Sequence, residues 1–358
     1  MTSTDQATLA VRCTADLLAA VPYLLGFRPA DSVVVIALRA NRIIFVARGD
    51  LPDFLAPDPP GVGPDHPAGR AGGPGEAAAQ LAAVVARQGV EATTIVGYGT
   101  PARVTPIIDS LTVALGRVGL PVLDALRVTG DRYWSYVCAD PGCCPPEGTR
   151  FDASTSQFAA AATFAGQVAL PDRETLVRQV APVDGPPRQA MRQATRKAEV
   201  RLQELLDRAS AADPLGRRAL RRAGRSAVRL AMLRHRTGGQ LTDDELAWLS
   251  LLLVHLPTRD EAWQRTGGED WHLALWTDVL RRAEPDLVAA PASLLAFAAW
   301  RTGQGALASV AIERALEAQP DYSLALLLAE TLQAGIPPST LDGWGGPGRS
   351  RREAFRAR

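Results

Sequence analysis

Three thiols crowd into one short stretch of this chain. Cys138, Cys143 and Cys144 stand at C-x4-C-C spacing, preceded by Trp134 and Tyr136. Thiolates are soft ligands for zinc or iron–sulfur clusters, so residue type and spacing raise a metal or redox centre. Paired C-x2-C knuckles are absent, adjacent cysteines point in different directions, and no fourth ligand stands close in sequence. The pattern by itself therefore favours reduced thiols packed as small hydrophobes in a partly buried loop over a bound metal.

A second group of residues could bind an anion. Arg28, Asp31, Ser32, Arg48 and Asp50 bracket two β-rich runs, and Arg28 and Asp31 could meet across Pro29. Arg48 and Asp50, two apart in an extended chain, share a face. Such a cluster can grip an anionic ligand at a sheet edge, although an ion pair that fixes the turn explains it as well. Gly97, Gly99 and Thr100 lie where a strand gives way to a helix, where backbone amides can cradle phosphate. The third glycine and the ribose-binding acid of a dinucleotide site are missing, so a turn with a capped helix is favoured.

The segment Arg188–Arg236 holds thirteen arginines and Lys197 against Glu199, Glu204, Asp207 and Asp213, a net charge of +10. Arg217, Arg221, Arg225 and Arg229 recur every four residues, one stripe along a helix, which could follow nucleic-acid phosphates without reading bases. The segment has no aromatic residue for stacking, and a solvated helix face accounts for it too. His235, His255 and His272 are scattered over different helices, and His66 sits in a Pro/Gly-rich stretch. No G-x-S-x-G elbow occurs and no complete catalytic set is present.

The 358 residues carry a net charge of +1, so bulk charge does not mark a polyanion binder. Lys197 is the only lysine, which makes arginine the default cation here. Four cysteines are too few for a disulfide-stapled secreted fold. The N-terminus lacks the basic and apolar regions of a signal peptide, and no apolar run nears the ~20 residues that span a bilayer. A soluble, cytoplasmic protein is expected.

The elements that must position these residues follow from periodicity. Thr14 is expected to cap a helix ending at Gly26. Val33–Leu38 is a continuous β-branched run, a strand buried on both faces, and Ile43–Ala47 should pair with it antiparallel. Helix 76–88, strand Thr93–Tyr98, a helix from Pro101 with Ile107, Ile108, Leu111, Leu115 and Val118 on one face, and strand Val122–Val128 imply a right-handed crossover. A further strand is expected over Arg132–Val137 and an Ala-rich helix over Ser154–Val168. Everything after Arg188 reads as helix. Between Leu294 and Pro320 the spacing of Gly303, Ala308, Ile312, Ala315, Leu316 and Pro320 resembles a tetratricopeptide repeat.

The chain also resembles, over nearly its whole length, the bacterial domain-of-unknown-function family DUF4192, common in actinobacteria. The matching pieces are Ala15–Leu18 with Val21–Phe27, Pro29, Ser32–Val34, Arg48–Pro52, Gly97–Gly99, Cys138 with Cys143–Gly148, Arg259-Asp260 and Leu294–Pro338. The resemblance implies that these stretches belong to one protein type, and it assigns no role to any residue.

The expected fold is an α/β N-terminal domain with a mixed sheet over 10–170, carrying a disordered Pro/Gly insertion at 53–75. A linker over 171–187 leads to an all-α C-terminal domain over 188–340 with a tetratricopeptide-like helical hairpin, then a disordered tail over 341–358. The expected function is a cytoplasmic binding or scaffold protein that holds a protein partner on its helical domain. The alternatives are an enzyme or sensor binding a nucleotide-like anion on the α/β domain, and a non-specific nucleic-acid binder using Arg188–Arg236. No membrane partner is expected, and the sequence names no cofactor.

Overall fold

The computed structural model describes residues 11–51, 73–153, 156–164, 166–208, 213 and 216–341. The insertion expected at 53–75 and the tail expected from 341 lie outside these residues, except Gly73–Gly75 and Leu341. The chain divides into two compact units, Met1–Arg173 and Glu174–Arg358.

The first unit opens with α1, Thr14–Leu25. Cys13, in extended conformation, is the N-cap and Thr14 the first helical residue, one place later than the side-chain chemistry of threonine suggests. Gly26 ends the helix at φ 82°, the left-handed region that costs glycine nothing. Two antiparallel strands follow, β1 (Ser32–Arg39) and β2 (Arg42–Asp50). Ala40 and Asn41 join them with φ of 47° and 59°, the two positive values that suit a tight hairpin. The Ala40 N–H donates to Glu91 Oε2 at 2.9 Å, which helps hold alanine there.

Next come α2 (Pro74–Ala86), β3 (Ala92–Tyr98), α3 (Pro101–Arg117) and β4 (Val122–Thr129). β3 pairs antiparallel with β1 and parallel with β4. Two short strands, β5 (Arg132–Ser135) and β6 (Thr149–Arg150), complete a six-stranded mixed sheet in the order β2-β1-β3-β4-β5-β6. Val33, Val35, Ile95 and Ala125 face α2 and α3, whereas Val34, Ile36, Val96 and Leu126 face Leu18 and Val21 of α1. β1 is apolar on both sides because helices cover both. α4 (Gln157–Phe164) adds Phe158 and Ala162 against Ala20 and Tyr23 of α1.

Three expectations of extent are corrected, the first being the helix expected over Ser154–Val168, since α4 is Gln157–Phe164 and Gly166–Val168 are not helical. α3 ends at Arg117, so Val118 caps it and is exposed rather than packed with Leu111 and Leu115. The strand expected through Val137 stops at Ser135, whose hydroxyl accepts from the N–H groups of Val137 (3.2 Å) and Cys138 (3.1 Å) and turns the chain.

The second unit is helical. Its elements are α5 (Arg173–Gln179), α6 (Pro186–Asp207), α7 (Arg217–Arg236), α8 (Asp243–Leu253), α9 (Leu256–Arg265), α10 (Asp270–Arg282), α11 (Ala289–Arg301), α12 (Gly305–Ala318) and α13 (Ser323–Gln333). α5 lies within the stretch expected as a linker, and its Leu176 and the following Val180 are buried. Ala289–Trp300 is buried residue after residue, the mark of a central helix apolar on every side. Its one hydroxyl, Ser293 Oγ, donates to the Ala289 carbonyl at 2.8 Å. α8 starts with a capping box in which Thr242 and Glu245 satisfy each other's backbone amides. No described helix is long and apolar enough to cross a membrane.

The histidines of this unit make it acid-sensitive. Burial is the largest cause holding His235, His255 and His272 below the ordinary 6.5. Asp278 opposes and Arg282 reinforces the effect at His235. Arg221 and Arg217 reinforce it at His255, and Glu269 opposes it at His272. A folded-state pKa below the unfolded one means that the unfolded chain binds more protons between the two values. The stabilisation is thus complete above the unfolded pKa and fades as pH falls below it. The urea midpoint is expected to be lower at about pH 5.5 than at about pH 7.5, and equal midpoints would contradict this.

Candidate functional site

The cysteine loop is built by its neighbours. Ser135 Oγ donates to Asp124 Oδ1 at 2.7 Å while it accepts the two amides that turn the chain out of β5. Asp140 forms the next turn. Its carbonyl accepts from the N–H groups of Cys143 (3.1 Å) and Cys144 (2.7 Å), and its carboxylate accepts from Gly142 N–H at 2.9 Å. The return limb is pinned by Arg132, which donates to the carbonyls of Glu147 (3.0 Å) and Gly148 (2.7 Å), and by Trp134 Nε1–H, which donates to Pro146 O at 2.9 Å. Trp134 in turn lies under the Arg127 guanidinium, 3.7 Å from its ring centroid.

This bracing brings the three thiols together. The sulfurs of Cys138, Cys143 and Cys144 all lie within 4.8 Å of one another. Cys138 and Cys144 are half-buried and Cys143 is exposed. A hydrogen bond from the Cys144 thiol, then one from the Asp140 backbone, lowers the pKa of Cys138. The same bond pushes Cys144 up to about 12. One sulfur of the trio thus takes negative charge more readily than its neighbour. Cys13, the remaining cysteine, caps α1 and is exposed.

The residues expected to bind an anion divide between the two faces of the sheet. Ser32, Asp50 and Tyr98 form one row across β2, β1 and β3, on the α1 face. Arg48 sits in the next row inward, its guanidinium paired with Asp50 at 2.5 Å and 5.6 Å above the Phe27 ring. The Ser32 and Tyr98 hydroxyls are buried without a hydrogen-bond partner among the described residues. Burial raises the Tyr98 pKa above its ordinary value.

Asp31 lies on the other face, where its partner is Arg103 of α3 at 2.5 Å. The expected Arg28–Asp31 pair does not form: Arg28 is exposed, and among the described residues its engaged group is the backbone N–H, which donates to Leu170 O. Gly97 is needed because a Cβ there would stand 2.3 Å from Val104 Cγ1. Gly99, at φ 146°, is hemmed in by Leu51, Val104 and Asp31. Thr100 is the N-cap of α3, without a side-chain capping bond. Arg28, Arg48 and Gly97–Thr100 therefore do not converge on one face.

Arg103 and Arg127 were not singled out from sequence. Arg103 reaches Asp31 and the Leu51 carbonyl from the first turn of α3, and Arg127 is buried in β4. An arginine between Leu126 and Val128, in the apolar part of β4, was the available signal for the second; nothing local marked the first.

A family model described as a domain of unknown function (DUF4192) matches residues 15–339. No curated protein and no solved structure matches the chain.

Proposed function

For this chain, which belongs to the DUF4192 family, we propose a metal-binding role in which Cys138, Cys143 and Cys144 hold a thiophilic divalent ion such as Zn2+. The observation that carries the reading is the mutual approach of the three sulfurs within 4.8 Å. Zinc–thiolate bonds of about 2.3 Å in tetrahedral array set ligand sulfurs about 3.8 Å apart, so the trio needs only a small contraction to close. Three protein thiolates leave a fourth position for water or an incoming ligand, and the exposure of Cys143 makes that position reachable from solvent. The ion would neutralise thiolate charge and tie the Asp140 turn to the end of β5. The reading also fits a reducing compartment such as the cytoplasm, where thiols stay free to ligate.

The test is metal content and cobalt substitution. Purified protein is expected to carry, or take up, one equivalent of Zn2+. Loading with Co2+ should give thiolate-to-cobalt charge-transfer absorption, lost in Cys138→Ser and Cys144→Ser. A folded wild-type chain that retains no zinc and gives no such absorption overturns the reading.

A further inference from the structure

The outer face of α7 is a charged surface of one sign. Gly224, Ala227, Val228, Ala231 and Met232 are buried along one side of the helix. Arg217, Arg218, Arg221, Arg222, Arg225 and Arg229 are exposed along the other. No Asp or Glu occurs between Arg217 and Thr242.

Elsewhere four arginines pair with a carboxylate four residues before them, Arg178 with Glu174, Arg208 with Glu204, Arg265 with Glu261 and Arg282 with Asp278, whereas Arg192, Arg196 and Arg201 of α6 are exposed with no ion pair among the described residues. On the α7 face the only ion pair among the described residues is the long one from Arg225 to Glu261, at 3.8 Å, and Glu261 is held more closely by Arg265, at 2.7 Å. Arginine being the default cation explains the residue type. It does not explain the missing carboxylates in a chain whose acids and bases otherwise nearly balance, 38 against 39.

The arrangement works against the free helix. Like charges at i,i+4 destabilise a helix by roughly 0.2–0.5 kcal/mol per pair, and Arg217, Arg221, Arg225 and Arg229 form a continuous run of such pairs. Arg217 and Arg218 also occupy the first turn, where the helix dipole disfavours cations, and the one carboxylate placed there among the described residues is that of Asp213, which accepts from the N–H groups of Arg218 (2.9 Å) and Ala219 (3.1 Å). The field extends to neighbouring groups. His255 is held below its ordinary pKa first by burial and then by Arg221 and Arg217. The side chains of Arg218, Arg221, Arg222, Arg225, Ser226 and Arg229 line an open, solvent-facing groove of about 520 Å³.

We propose that this face of α7 binds the phosphate backbone of double-stranded nucleic acid without reading its sequence. Guanidinium forks match phosphate oxygens two at a time. The run from Arg217 to Arg229 rises roughly 18 Å along the helix axis, about the length of five base pairs at 3.4 Å each. α7 carries no aromatic side chain. Single-strand binders use aromatics to stack bases, so the backbone of a duplex is the better match.

The test uses the full chain and a short labelled duplex of mixed sequence, followed by anisotropy across a salt series. With about four phosphates engaged, log K should fall against log salt with a slope near −3.6, an affinity loss of about 10²-fold between ~50 and ~200 mM salt. The double variant Arg221→Gln/Arg229→Gln, which removes two of the four arginines in that run, should lower that slope by about two, with an unchanged circular dichroism spectrum and a melting temperature no lower than wild type. A duplex of scrambled sequence should bind equally well. Absence of salt-dependent binding, or a slope the variant does not change, overturns the proposal. So does single-stranded DNA binding as tightly as the duplex, or a preference for phosphatidylserine vesicles at the same phosphate concentration.

Discussion

Trp276→Ala is expected to destabilise the helical unit by about 3–5 kcal/mol, the range for deleting a large buried aromatic. Trp276 is fully buried in α10 beside Leu275, Val279 and Leu280. Its Nε1–H donates to Thr266 Oγ1 at 3.0 Å, and that hydroxyl donates to the Ala262 carbonyl at 2.8 Å, so the indole also closes the end of α9. In a domain of this size 1 kcal/mol moves the melting temperature by about 2–4 °C, so a drop of about 10 °C is the expected scale. Trp276→Phe keeps most of the apolar body and loses only the N–H donor, and should lie well above the alanine variant. A Trp276→Ala midpoint within about 1 kcal/mol of wild type would mean that the surrounding side chains collapse into the space.

The second large effect is expected at Gly148, where backbone and packing act together. Its φ is +82°, a region that costs L-residues about 1–2 kcal/mol. An added Cβ would stand 2.4 Å from Trp134 Cε2 and under 3 Å from two more ring atoms. The indole cannot easily swing aside, because Pro146 O holds its N–H and Arg127 covers its face. Gly148→Ala should therefore cost about 2–4 kcal/mol. If the thiols hold zinc, it should also weaken zinc affinity by about tenfold or more, as loss of groups that orient ligands does. Gly130→Ala is the control: φ is +62° with open space around it, so it carries the backbone strain alone and should leave zinc affinity unchanged. Chelator competition on both variants measures the difference, and equal affinities would show that the Trp134 contact does not position the thiols.

Much of the local architecture could be read directly. Val33–Leu38 has too long a β-branched run for anything but a strand covered on both faces, and α1, α2 and α3 cover it. Thr93–Tyr98, Pro101 and Val122–Val128 carried the crossover, and β3 and β4 are parallel. The helical character of the chain after Arg188 was legible too, and α6 to α13 bear it out. Extents were less legible where one polar atom decided them, as at Ser135, whose hydroxyl ends β5 by capturing two amides.

For the candidate sites the division is sharper. The sequence set which residue types lie a few positions apart: Arg48 with Asp50 on one strand face, the arginines that recur every four residues along α7, and three cysteines within seven residues. Spacing in a loop carries no distance, however, and the approach of the three sulfurs was decided by tertiary structure. The Asp140 turn folds the loop back, and Arg127, Arg132 and Trp134 from β4 and β5 hold its return limb. Likewise Asp31 pairs with Arg103, 72 residues on, rather than with Arg28, because β1 and the start of α3 meet at one end of the sheet. Alternation along a strand is a property of the local chain, legible one residue at a time. Which charges and thiols face each other depends on strand order and on the packing of distant helices, which exist only once the chain has folded.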